Sequence, residues 1–245
     1  VTAPAIVARG LAQSFGGRAV FRDVSFTVAP GEVFAILGRS GCGKSTLLRQ
    51  LIGLLPPSSG SITLLGRDMA AERAAILPQI GVLFQSGALF GSMTLLENVM
   101  LPLQMLTPLP EEACIAIARI KLDQVGLADA ARLRPADISG GMAKRAGIAR
   151  ALALDPPLVF LDEPSAGLDP VTSAGLDRLI LNLRDTQGAT FVVVTHELAS
   201  LMAIADRCIM LDAGAGGIVA EGDPRDLAAN SGDKVVQAFF HRQAA

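Results

Sequence analysis

The chain has 245 residues, of which 51% are hydrophobic and 18% charged, with a formal net charge of −2. That length supports a sizeable core, and no basic excess marks a DNA or RNA partner; with no Trp, no Tyr and ten Phe, stacking platforms for bases are scarce as well. Cys42, Cys114 and Cys208 are scattered and odd in number, which argues against a disulfide framework or a metal-site spacing and fits a reducing cytoplasm.

The N-terminus, VTAPAIVARG, lacks the charged-then-apolar pattern of a signal peptide, and no uncharged stretch is long enough to span a membrane. Mean hydropathy is nonetheless +0.46, high for a soluble chain. The segments AIVARGLAQSF and AVFRDVSFTV, separated by Gly16 and Gly17, predict antiparallel strands, the second half-buried with imperfect alternation. EVFAIL (Glu32 to Leu37) predicts a strand that runs into GRSGCGKST, and KSTLLRQLIGLL then has the spacing of an amphipathic helix. GSITLLG, ended by Gly66, and IGVLFQ (Ile80 to Gln85) predict two more strands. From Ser86 to Asp137 the spacing becomes helical, with Pro102, Pro108 and Pro110 expected to break the run. LVFLD and TFVVVT are near-continuous apolar runs, as in parallel strands buried on both faces, and a helix, VTSAGLDRLILNLRDT, lies between them. In the tail GDKVVQAFFHRQ, Val235, Val236, Phe239 and Phe240 recur at helical spacing. Docking of that stripe on its own domain and on a neighbouring subunit are both open.

Gly38 to Thr46 matches G-x-x-x-x-G-K-[ST], the phosphate loop, and sits where that loop must, between a strand and a helix. Gly38, Gly41 and Gly43 let backbone N–H groups approach an anion, and the helix start adds its dipole. Lys44 is expected at the β- and γ-phosphates, Ser45 on Mg²⁺ and Thr46 on phosphate, with Arg39, Ser40 and Cys42 contributing backbone alone. Both buried strands end in polar chemistry, Asp162 and Glu163 after one, Thr195 and His196 after the other. Ligands in open α/β sheets sit beyond such strand ends, so three ends converge on one site. Asp162 fits a carboxylate holding Mg²⁺ through water. Glu163, one step on and facing the other way, fits a general base for the attacking water. His196 fits an orienting or γ-phosphate-sensing role. In DISGGMAKRAGIARALALDP, Ser139 is a good N-cap and Gly140 and Gly141 leave a bare first turn, a second anion-binding helix start. One ATP does not need two such platforms from one chain, so the second serves an ATP held by another copy.

These motifs together resemble the ATP-binding subunit of an ABC transporter over nearly the whole chain. The resemblance implies an α/β fold: a RecA-like P-loop NTPase core with an N-terminal antiparallel β-subdomain and a helical insertion. It implies one ABC ATPase domain over 1–245. Residues 1–85 hold the β-subdomain and first part of the core, 86–137 the helical subdomain, 138–230 the rest of the core and 231–245 a helical tail. Phe15 falls where the family places an adenine-stacking aromatic, although a core Phe at a strand end is the alternative. Gln85 corresponds to the Q-loop glutamine that ligates Mg²⁺, Ser139, Gly140 and Gly141 to the signature, Asp169 to the D-loop, Glu163 to the catalytic base and His196 to the switch histidine. ATP and Mg²⁺ are the implied cofactors. Implied partners are a second copy, head-to-tail around two ATPs, and separate integral-membrane permease subunits. No nucleic acid is implied. The location implied is the cytoplasmic face of the inner membrane, as a peripheral protein.

Two departures are informative. Met142 and Ile138 replace the usual Gln and Leu of the signature, so its grip on ATP must rest on Ser139 and the glycine N–H groups. SGGM, with VLFQSGALFGSMTLLENVMLPL and the tail, resembles the Mla/Mce-type subgroup, which moves phospholipids and other lipids across the cell envelope and works with an Mce-type lipid-binding protein. Another cargo (amino acid, metal or drug) is the alternative. A non-transport ABC protein would carry coiled coils, zinc inserts or a second cassette. Met93, Met100 and Met105 in the helical insertion mark either a docking surface or ordinary core.

Overall fold

A computed structural model describes residues 3–241; of the predicted tail, Arg242 and Gln243 lie outside them. The N-terminal part opens with β1 (Ile6–Phe15) and β2 (Arg18–Val28), an antiparallel hairpin turning at Gly16 and Gly17. β3 (Val33–Gly38) and α1 (Lys44–Leu51) flank the phosphate loop. Then come β4 (Ser59–Leu64), β5 (Arg67–Asp68), α2 (Met69–Ile76) and β6 (Ile80–Leu83). The helical insertion holds α3 (Leu95–Leu106) and α4 (Glu111–Gln124), followed by α5 (Gly140–Ala151). The rest alternates: β7 (Leu158–Asp162), α6 (Pro170–Gln187), β8 (Thr190–Val194), α7 (Leu198–Ile204) and β9 (Arg207–Asp212). β10 (Gly217–Gly222), α8 (Pro224–Asn230) and α9 (Lys234–Phe240) close it.

Two sheets result. One is four-stranded, in the order β2-β1-β4-β5, and its paired strands are antiparallel. The other is six-stranded, in the order β10-β9-β3-β8-β7-β6, parallel except for β10 at its edge. The imperfect alternation of β2 has a local cause. Register shifts interrupt its pairing with β1, and Asp23 adopts a left-handed φ of 50°, so the strand bulges and its face changes.

Period-two alternation along the buried strands assigns side chains to different layers. In β8, Phe191 and Val193 join the cluster packed under the helical insertion, α5 and α6, while Val192 and Val194 join the cluster under the antiparallel sheet and α1. In β3, Phe34 and Ile36 face the latter cluster, and Ala35 and Leu37 face a third one, closed by α7 and α9. α9 packs on its own domain: Val236 is fully buried and Phe240 nearly so, against Leu37, Leu201 and Met210.

One expectation needs correction. Pro102 does not break the helical run; it lies inside α3. The first turn of α3 is secured by a capping box between Thr94 and Glu97, and Leu95, Val99, Met100 and Leu103 are buried, so packing offsets the roughly 3 kcal/mol that an internal proline costs. Pro108 and Pro110 do lie between α3 and α4. The three methionines also divide: Met100 is core, Met93 half-buried, and Met105 is 72% exposed. Among the described residues no helix is long and apolar enough to cross a membrane.

Candidate functional site

The carboxyl ends of β3, β7 and β8 open on one cleft of about 760 Å³. Residues 38–46 line it with the exception of Cys42, whose side chain is buried in the core cluster beneath the loop. Gln85, two residues beyond β6, Asp162, Glu163 and His196 line it as well. All three predicted strand ends therefore meet.

The phosphate loop has the form its glycines dictate. Gly43, at φ 104°, starts α1 with no side-chain cap, so the first N–H groups of the helix are left for a ligand. A Cβ at Gly43 would press on Phe21 and Val20 at 2.9 Å. The Lys44 ammonium turns back into the loop and donates to the Gly38 carbonyl at 2.7 Å and the Arg39 carbonyl at 3.1 Å. The loop thus folds around its own cation, a charge that arriving phosphate oxygens would attract more strongly than neutral carbonyls.

The carboxylate pair departs from expectation. Strand alternation predicts Asp162 and Glu163 on opposite faces, yet both line the cleft. The reason is that the chain leaves the strand between them: Glu163 takes a left-handed φ of 47°, an uncommon conformation for a non-glycine residue. Its N–H donates to the Val194 carbonyl at 2.8 Å. Its Oε1 lies 2.7 Å from Nδ1 of His196, and its buried Oε2 has no partner. Burial, then the neighbouring Glu163, raises the Asp162 pKa above the ordinary carboxylate value, against the pull of Lys144, Arg49 and Lys44.

The remaining predicted residues lie elsewhere. Ser139 caps α5, its hydroxyl accepting from the Met142 N–H at 3.2 Å. Gly141 faces α6 across a separate hollow of about 210 Å³, where a Cβ would strike the Thr172 side chain. Neither Ser139 nor Gly140 nor Gly141 lines the phosphate-loop cleft. Asp169 caps α6, accepting from the Val171 and Thr172 N–H groups at 3.0 Å. Phe15, at the end of β1, is 54% exposed, so it is not core, and it is not among the cleft-lining residues. Two residues not expected at the site from the sequence do line the cleft, Val20 of β2 and Phe239 of α9. A third, Lys144, is buried beside it and donates to the backbone carbonyls of Gln85 and Glu163. Its signal was a lysine in register with buried positions of α5 such as Gly141 and Ile148.

Residues 21–166 match the family model described as ABC transporter. The chain belongs to the ABC transporter family. Its ATPase domain has the family fold: a chain of the CbiONQ ABC transporter complex from Clostridium perfringens superposes with a TM-score of 0.85 at 27% identity, covering 94% of this chain and 92% of that one. A dimeric ATP-binding cassette in a post-hydrolysis state, bound to ADP and phosphate, superposes at 0.80 with 30% identity, over 89% of this chain and 98% of the other. Among sequence relatives, the Escherichia coli intermembrane phospholipid transport system ATP-binding protein MlaF is 42% identical over 91% of this chain and 83% of its own length. The Mycobacterium leprae probable ribonucleotide transport ATP-binding protein mkl is 43% identical over 97% of this chain. The chain spans 69% of that relative's length and 66% of its Mycobacterium tuberculosis counterpart's.

Proposed function

We propose that this ABC ATPase powers phospholipid movement across the cell envelope, working at the cytoplasmic face of the inner membrane as a peripheral subunit of a transporter with separate permease chains. The observation that carries the chemistry is the convergence of Lys44, Asp162, Glu163 and His196 on one cleft with Oε2 of Glu163 unpartnered. Lys44 and the loop N–H groups hold the phosphates, with Thr46 beside them and with Arg39, Ser40 and Cys42 supplying backbone alone. Glu163 takes a proton from the attacking water, and His196, already against its other oxygen, fixes the carboxylate's direction. Phe15 stacks on adenine from the rim. The hydroxyl of Ser45, the amide oxygen of Gln85 and the Asp162 carboxylate form an all-oxygen donor set suited to Mg²⁺, which when bound neutralises phosphate charge.

The signature end of α5 completes a second copy's site. Ser139, Gly140 and Gly141 present a helix start outside this chain's phosphate-loop cleft, which supports a head-to-tail homodimer with Asp169 near the junction. A groove lined almost wholly by apolar groups, among them Val82, Phe84, Phe90, Leu101 and Met105, lies beside the segment carrying Gln85 and fits a permease segment. Phospholipid as cargo, and an Mce-type lipid-binding protein as a further partner, are supported by the similarity to MlaF and by the SGGM signature. The mycobacterial relatives carry ribonucleotide transport in their names, so the cargo needs its own test. The complex is purified from native membranes through a tag on this chain, and its proteins and bound small molecules are identified. Co-purifying permease, Mce-type protein and phospholipid are expected. Enrichment of nucleotides, amino acids or metal in place of lipid would overturn the cargo.

A further inference from the structure

Lys144 ties three functional segments together through one buried ammonium. It sits in the second turn of α5, five residues beyond Ser139, and is only 6% exposed. Its Nζ donates to the Gln85 carbonyl and, at 2.9 Å, to the Glu163 carbonyl. Burial lowers its pKa, while the charges of Asp162 and Glu163 favour the cation. An ammonium has three donors, so it can serve both carbonyls, and among the described residues no other side chain donates to either. Arg150, two turns further along α5, makes a useful contrast. Its guanidinium donates to the carbonyls of Gly87 and Ala88, holding the same loop downstream, but it makes no hydrogen bond to the segment after β7.

The peptide that Lys144 grips is the strained one. Glu163 stands at φ 47°, with its N–H bound to Val194 and its carbonyl bound to Lys144. Such a conformation persists only where the surroundings over-determine it. Fixing both sides of this residue sets where its carboxylate points, with Oε1 against His196 and Oε2 unpartnered. Lys144 belongs to the helix that carries the signature, and its other bond is to Gln85. A shift of the helical insertion or of the Gln85 loop therefore pulls on the backbone of Glu163.

We propose that Lys144 is the positioning residue for Glu163, and that it couples the Gln85 loop and the signature helix to hydrolysis. It touches neither the phosphate loop nor, by this reading, the nucleotide. Its loss should therefore slow turnover without weakening ATP binding. This inference rests on Glu163 being the base.

The test uses the full chain together with the membrane subunits that purify with it, measuring kcat and ATP affinity separately. Lys144→Met keeps length and volume but removes every donor, leaving the Gln85 carbonyl without its ammonium partner and the Glu163 carbonyl with the Ala166 N–H alone, and should lower kcat about tenfold to hundredfold with affinity within about threefold. Lys144→Arg, which restores charge and donors, should recover most of the rate. If Lys144→Met fails to fold, Lys144→Gln, with a shorter stem and an amide donor, should show a partial loss of kcat at unchanged affinity. A kcat within about twofold of wild type in the folded variant with fewest donors would overturn the proposal, as would equal losses of kcat and affinity, since rate effects of a positioning group must separate from binding. Glu163→Gln run in parallel separates the two readings. If it hydrolyses ATP normally, the assignment of the base is wrong; if it is inactive while Lys144→Met is normal, only the role of Lys144 is wrong.

Discussion

The starts of α1 and α5 are built from the same parts and differ in what surrounds them. Both follow glycine-rich turns and both expose helix N–H groups. At α1 the capping position is Gly43 in a left-handed conformation with no side-chain oxygen, a lysine folds back into the loop, and carboxylates stand across the cleft. At α5 the Ser139 hydroxyl already accepts the Met142 N–H, and the neighbouring hollow is small, lined by Leu168, Thr172 and Gly175 among others. One helix start has a cation and carboxylates around it within the chain. The other has the dipole and the bare backbone, but the cation beside it, Arg145, donates to the Val125 carbonyl, and no carboxylate lines its hollow. The difference teaches that an anion-binding helix start becomes a site only when opposing groups close over it, and at α5 the function proposed above has a second copy supply them.

Lys44→Ala should break the stronger side of this comparison with the largest effect. It deletes a charge that the loop's own carbonyls now hold, and charge-assisted bonds to phosphate are worth roughly 1.5–3 kcal/mol each, so ATP affinity or turnover should fall by about a hundredfold or more. Titration with a fluorescent ATP analogue and phosphate release measure the two. Normal turnover in the assembled complex would remove Lys44 from the site.

Glu163→Gln sharpens the distinction between holding nucleotide and using it. Turnover should fall by about 10²- to 10⁴-fold while ATP still binds, because the amide keeps the shape but is a far weaker base. Size-exclusion chromatography with Mg-ATP should then show an accumulated dimer. Adding Ser139→Arg should abolish that dimer, since the bulky side chain blocks the α5 platform presented to the partner. Persistence of the dimer in the double variant would mean that α5 does not face the other copy's ATP.

Phe15→Ala carries the smallest effect. The side chain is more than half exposed, so melting temperature should hardly change, while loss of stacking should weaken ATP by several-fold, in line with about 0.5–1.5 kcal/mol for an aromatic pair. A drop in melting temperature with unchanged affinity would make Phe15 a structural residue instead.

Local pattern was enough for much of this protein. The phosphate loop between strand and helix, the buried parallel strands LVFLD and TFVVVT, the hairpin at Gly16 and Gly17 and the Ser139 cap could all be read in the sequence, because each depends on neighbouring residues, on period or on backbone freedom at glycine. Pro102 misled, since its cost is local but the compensation is the packing of Leu95, Val99 and Leu103 against the rest of the domain. The direction of Glu163 misled for a related reason: alternation holds only while the chain remains a strand, and the left-handed turn after Asp162 is set by bonds to Val194 on β8 and Lys144 on α5. The own-domain packing of α9, which brings Phe239 to the cleft, and the buried tie made by Lys144 join segments far apart in the chain. By itself the sequence determined which residue types stand at the strand ends and helix starts of the candidate site, because residue type and spacing are local properties. Only the tertiary structure decided how those residues face one another, because the strain, burial and hydrogen bonds that aim them come from segments brought together by folding.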